Sequence, residues 1–136
     1  MKTWTEKLNS EDRHQVKPAP ISIAGMKAGE IMLVPTALEI DEFIRGLPEG
    51  AEMDVKSMRR AMAKAHGAEV TCPITTGFHL RTVAEAAYEA YQRTGDVKAV
   101  TPFWRVVNIK TPTIAKLSFG PAFVLEQRRR EGLSDA

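Results

Sequence analysis

The stretches DVKSMRRAMAKAHG (residues 54–67) and CPITTGFHLRTVAEAAYEAYQRTG (residues 72–95) carry two helical periodicities separated by a short break. In the first, Asp54 is suited to cap a helix in which Val55, Met58, Met62 and Ala65 mark one face, while Lys56, Arg59, Arg60 and Lys64 mark the other. Gly67 ends it. After the turn-like Cys72-Pro73, Thr75 or Thr76 can cap a second helix, whose apolar positions Leu80, Val83, Ala84, Ala87, Tyr88 and Tyr91 keep helical spacing until Gly95. Two helices joined in this way predict a helix-turn-helix element.

Upstream, Ile31-Met-Leu-Val34 is a short apolar run closed by Pro35, which predicts extended chain. Thr36 and Glu39 then form a capping-box signature, and Ile40, Phe43, Ile44 and Leu47 recur at helical spacing, so a helix is expected from about Ala37 to Gly46. The first stretch, Met1 to Lys27, reads as a short helical turn and then an arm. It is either a surface tail or a strap that packs Trp4 onto the domain. Downstream, Phe103 to Val107 is expected to be a strand and Ile109 to Leu117 a loop. Pro121 sits at the favoured first position of a last helix, Ala122 to about Glu131, which Gly132 closes. The expected fold is therefore α+β and mainly helical: a winged helix-turn-helix domain over residues 36–136, with an N-terminal arm and short strand over residues 1–35 packed on it.

Composition bounds the function. A chain of 136 residues with 43% apolar and 26% charged residues suits one globular domain. No window approaches the roughly 18 uninterrupted apolar residues of a membrane span, and the first twenty residues are too polar for a secretory signal, so a cytoplasmic protein without membrane association is expected. One cysteine, Cys72, excludes an internal disulfide, and three histidines scattered along the chain show no zinc-ligand spacing, so neither metal nor another cofactor is expected. The formal charge of +2 is too small by itself to argue for nucleic acid.

The segment Thr101-Pro-Phe-Trp-Arg-Val-Val-Asn108 resembles the active-site strand of the alkylguanine-DNA alkyltransferases, whose pattern is Pro-Cys-His-Arg-Val. Pro102, Arg105, Val106 and Val107 match. Phe103 stands where that family has its alkyl-accepting cysteine, and Trp104 where it has the histidine that activates the cysteine. Leu117-Ser-Phe-Gly-Pro121, with a closing helix that ends in Glu131-Gly132, is similar to the family's serine- and glycine-containing loop and terminal helix, and Leu80-Arg-Thr-Val-Ala84 to the start of its recognition helix. The likeness spans about Ala37 to Leu133. It implies a partner, double-stranded DNA, and a minor-groove contact in which Arg81 replaces a flipped nucleotide and Ser118 lies beside the extruded base. It also implies that Glu131 lacks the partners of the family's cysteine-histidine-glutamate relay. The pattern is closest to alkyltransferase-like proteins, which bind alkylated guanine without repairing it and pass the site to repair proteins.

Chemistry agrees with the missing nucleophile, because a phenyl ring has no lone pair with which to accept an alkyl group. Phe103 is expected to line a pocket and stack on a base in preference to plain core packing, and Trp104 is left open between the same two roles. Arg105 would help to hold the base. Arg81 is either an inserted finger or an exposed helix arginine. Arg59 and Arg60, with Lys56 and Lys64, face phosphates or solvent, while Thr75 and Thr76 cap a helix or donate to phosphate. In Arg128 to Arg130, cations simply complement the end of a helix. A rival reading makes the chain an enzyme, an alkyltransferase that uses Cys72 as a relocated acceptor; a second makes it a winged-helix module for DNA or protein partners with no interest in lesions.

Overall fold

The computed structural model describes residues 2–133. Five α-helices and a three-stranded sheet make up the fold, α+β and mainly helical: α1 (Trp4–Leu8), β1 (Gln15–Pro18), β2 (Ile31–Val34), α2 (Ala37–Arg45), α3 (Val55–Ala65), β3 (Val70–Thr71), α4 (Pro73–Thr94) and α5 (Ala122–Arg130). No helix among the described residues is long and apolar enough to cross a membrane.

Local chemistry explains most boundaries. Thr36 and Glu39 form the expected capping box on α2, and a second one, Thr3 with Glu6, starts α1. Asp54 caps α3 by accepting from the Ser57 N–H. The start of α4 differs from expectation: the helix begins at Pro73, whose fixed φ and missing N–H suit a first turn, and neither Thr75 nor Thr76 caps it. The end of α5 is closed as expected. Gly132 adopts φ 74°, and the N–H groups of Gly132 and Leu133 donate to the carbonyls of Arg129 and Arg128.

The sheet has the order β1-β2-β3. β1 and β2 run antiparallel with Val16 opposite Leu33, and β2 and β3 run parallel with Leu33 opposite Thr71. The pleat of β2 sends Leu33 into the main core and Met32 to the other face, where Ala19, Met26 and Cys72 cover it. β1 was invisible in the sequence because it is exposed throughout and lacks alternation, and β3 because it has only two residues.

One expectation is overturned. Phe103–Arg105 forms a 3-10 turn in place of a strand, with the Arg105 and Val106 N–H groups donating to the carbonyls of Pro102 and Phe103. Its apolar run reports burial and not pairing, since Phe103, Val106 and Val107 are all inaccessible and no strand lies alongside. The loop that follows contains another such turn, Pro112–Lys116. Every paired strand among the described residues thus precedes α4.

The main core surrounds α4, whose Leu80, Val83 and Ala84 meet Leu33, Ile40, Ile44, Met58 and Val124. Two buried polar links brace it. Thr101 Oγ1 donates to Asp41 Oδ1 at 2.5 Å, and Arg45 Nε donates to the other oxygen of that carboxylate at 2.9 Å. Arg128 lies in the last turn of α5, as expected, and is 1% exposed. It donates to the Trp104 carbonyl at 2.7 Å and to Glu52, tying α5 to two loops.

Phe103→Ala is expected to lower stability by about 3–5 kcal/mol through lost burial and the cavity left behind. Phe103→Leu is expected to cost much less. Urea midpoints of the two variants measure the difference.

Candidate functional site

Two side-chain clusters gather the residues singled out in the sequence, and a band of aromatic rings separates them. The first is centred on Glu85, one helical turn after Arg81 on α4. The Glu85 carboxylate is nearly inaccessible; it accepts from Ser118 Oγ at 2.5 Å and from the Ser118 N–H at 2.9 Å. Arg81 Nε lies 3.7 Å from the same carboxylate, and the guanidinium sits 5.1 Å from the centre of the Trp4 ring. Arg81 Nε is buried and has no hydrogen-bond partner among the described residues. Ser118 opens onto a groove of about 420 Å³ walled by Trp4, Tyr88 and Phe119, with Glu85, Glu89 and Gln92 at its edges.

The N-terminal arm is therefore a strap and not a tail, because α1 forms one wall of this groove. Glu89 holds it there, accepting from the Trp4 N–H at 3.1 Å and from the Thr5 N–H and Oγ1 at 2.9 Å. Burial pushes the Glu89 carboxyl up, but the Thr5 and Trp4 hydrogen bonds, helped by Arg93, outweigh it and leave its pKa below the usual value.

The second cluster is centred on Glu131. Trp104 Nε1 donates to Glu131 Oε2 at 2.6 Å, Arg105 Nε donates to Oε1 at 2.8 Å and Arg105 Nη2 to Oε2 at 3.0 Å. Gly50 N–H donates to Oε1 at 3.0 Å, and Arg105 Nη1 donates to the Leu47 carbonyl at 2.7 Å. Glu131 is without the cysteine and histidine of the resembled family's relay, as expected, and instead has other donors, with the Trp104 indole N–H among them. Burial acts to raise the Glu131 pKa, yet the Arg105, Gly50 and Trp104 donors together bring it below the ordinary carboxylate range.

Several expected roles are corrected by these contacts. Arg105 is committed to Glu131 and Leu47, so its donors do not face a base. Trp104, left open in the sequence, is 3% exposed, and its indole N–H is spent on Glu131. Phe103 is wholly buried, stacked on Phe123 at 6.1 Å and edge-on to Phe119, so it presents no face on which a base could stack. Trp104 and Arg105 line a different cleft from Ser118, and the two clefts share no residue. The pocket expected between Arg81, Phe103, Arg105 and Ser118 is filled by rings.

Thr76 is buried and donates to the Cys72 carbonyl at 2.7 Å, which removes it as a phosphate ligand; Thr75 is part-exposed on the same turn. Arg59 is also tied down, with Nε donating to the Thr71 carbonyl at 3.2 Å while Thr71 Oγ1 donates back to the Arg59 carbonyl. Its pKa is lowered by burial, against the pull of nearby Cys72. Arg60, Lys56 and Lys64 remain exposed. Cys72 itself is buried among Ala19, Met26 and Met32 below the sheet. Two of the three histidines come together in space, since His14 and His66 both meet Glu39.

Sequence reading missed the apolar surface of α4. Ile74 is 57% and Phe78 72% exposed, and both lie on the stripe that Arg81 continues. Their spacing from Arg81 was the available signal.

Glu131→Gln is expected to cost about 3 kcal/mol at pH 7, because it leaves the buried Arg105 charge uncompensated. The folded carboxyl titrates below its unfolded value near 4.5, so its contribution is complete above that pH and is lost as pH falls through the folded value. The gap between wild type and Glu131→Gln, read from denaturant midpoints, should accordingly close in acid. Comparison with family models, with curated proteins and with solved structures gives no match to this chain.

Proposed function

We propose that this protein binds double-stranded DNA without a covalent step, through the N-terminal half of α4, and recognises an alkylated guanine flipped from the duplex. The observation that carries this is the stripe Ile74, Phe78 and Arg81, at helical positions i, i+4 and i+7, with two large apolar side chains held in water. Exposed apolar side chains of this kind act as wedges between base steps in a minor groove, and the bend they cause brings more protein surface onto the duplex. Arg81 follows one turn later with a side chain 40% exposed, whose guanidinium is suited to the base left without its partner.

The groove beside Arg81 supports the second half of the proposal. Aromatic walls from Trp4, Tyr88 and Phe119 offer apolar contact to a base, and carboxylates at the edge can accept from an exocyclic amino group. The base is held here and not against Phe103, which lies beneath Phe119. Arg60, Lys56 and Lys64 supply exposed charge for phosphates. α3 and α4 then serve as the two helices of a helix-turn-helix, and a cytoplasmic chain whose one thiol is buried holds the lesion for repair proteins.

Binding to one duplex, with and without an alkylated guanine and at one salt concentration, is the test. Tighter binding to the lesion is expected, with Phe78→Ala and Arg81→Ala each losing about 1–3 kcal/mol and Arg60→Ala lowering the salt slope by about one unit. Equal affinities would reduce the function to phosphate attraction, and no binding would turn the Ile74 and Phe78 patch toward a protein partner. The intact chain should gain no alkyl mass; a gain abolished by Cys72→Ser would overturn the non-covalent reading.

A further inference from the structure

His14, Glu39 and His66 are far apart in sequence and come from three different elements. His14 immediately precedes β1, Glu39 lies in the first turn of α2, and His66 is the residue that ends α3. His14 Nδ1 lies 2.9 Å from Glu39 Oε2, and His66 Nε2 lies 3.6 Å from the same oxygen. The two imidazole rings stand 4.5 Å apart and steeply inclined, and one ligand atom from each of the three residues falls within 4.8 Å of the others. The geometry points to a site for a divalent transition metal ion of the zinc class, held by His14 Nδ1, His66 Nε2 and Glu39 Oε2.

Bond lengths of about 2.0–2.2 Å to nitrogen and oxygen set neighbouring ligand atoms of a tetrahedral zinc roughly 3.3 Å apart. Both separations from Glu39 Oε2 are within a few tenths of an ångström of that spacing, and the two ring nitrogens, within 4.8 Å of one another, complete the triangle. Two imidazoles and one carboxylate select zinc, copper, nickel or iron over magnesium and calcium, which require oxygen ligands.

The carboxylate is also held in place. Glu39 Oε1 accepts from the Thr36 N–H and Oγ1, each at 3.0 Å, and this capping box leaves Oε2 turned toward the histidines. A plain surface ion pair does not require one oxygen to be fixed while the other is shared by two rings. Outside, the site opens onto a cleft of about 440 Å³ that also carries Asp12 and Glu42 against one cation, Arg13. The cleft admits an ion, and its excess of carboxylate attracts one; water fills the remaining coordination positions. A bound ion would fasten the chain before β1 to α2 and α3, and so secure the arm whose first helix walls the groove at Ser118.

The test uses the whole chain, treated with chelator and then titrated with zinc in competition with a chromophoric chelator, and in parallel with cobalt. One zinc per chain is expected, with visible cobalt bands of a four- or five-coordinate ion and a higher Tm in zinc than in magnesium. His14→Ala and His66→Ala should each weaken binding more than about tenfold, and Glu39→Gln should do the same while keeping an acceptor for Thr36. His79→Ala should change nothing. Absence of stoichiometric zinc, or binding that survives His14→Ala and His66→Ala together, would overturn the assignment. Loss on His79→Ala alone would also overturn it.

Discussion

Between α4 and the last helix, the rings of Tyr88, Phe103, Trp104, Phe119 and Phe123 pack on one another, and the candidate sites owe their separation to this packing. Tyr88 lies flat on Phe119 with centroids 4.0 Å apart, Phe123 meets Tyr88 edge-on, and Phe103 stacks beneath. Offset stacking and edge-to-face contact add to the large area each ring removes from water. Because the rings fill the middle, polar residues are forced to either side. Ser118, Glu85 and Arg81 collect above, and Trp104 Nε1, Arg105 and Glu131 collect below.

Glu131, Glu85 and Arg128, drawn toward this interior, are each matched by hydrogen-bond partners. Glu131 has a bidentate arginine, an indole N–H and a backbone N–H, and Glu85 has both donors of Ser118. Arg128 meets a carbonyl and a carboxylate. Such pairing cancels the large cost of taking ions out of water and adds little beyond that. What it does provide is position: the turn at Phe103–Arg105, besides its own backbone bonds, is held by the side chains that close on Glu131 and by the Arg128 grip on the Trp104 carbonyl.

The surface of α4 shows the opposite arrangement. Helical period buries Leu80, Val83 and Ala84, and the same period leaves Ile74 and Phe78 in water beside Arg81. A contiguous pair of large apolar side chains exposed on a helix marks a surface that meets something else. The strap formed by α1 lies next to this stripe, with Trp4 under the Arg81 guanidinium, so any partner that engages Arg81 also meets the N-terminal segment.

What was legible in the sequence were the helices, because caps, glycine stops and apolar period act over a few neighbouring residues: Thr36 and Glu39, Asp54, and Gly132 each declare an end locally. β2 was legible from its four apolar residues. The run Phe103 to Val107 was misread for the same reason, since burial and strand pairing favour the same residues and only neighbours in space tell them apart. Tertiary structure alone decided that Glu131 meets Trp104 and Arg105, that Ser118 meets Glu85, and that His14 and His66 share Glu39. Those contacts join residues dozens of positions apart, and no spacing rule can anticipate them, because the separation of two groups in space is set by how the helices pack and not by the length of chain between them.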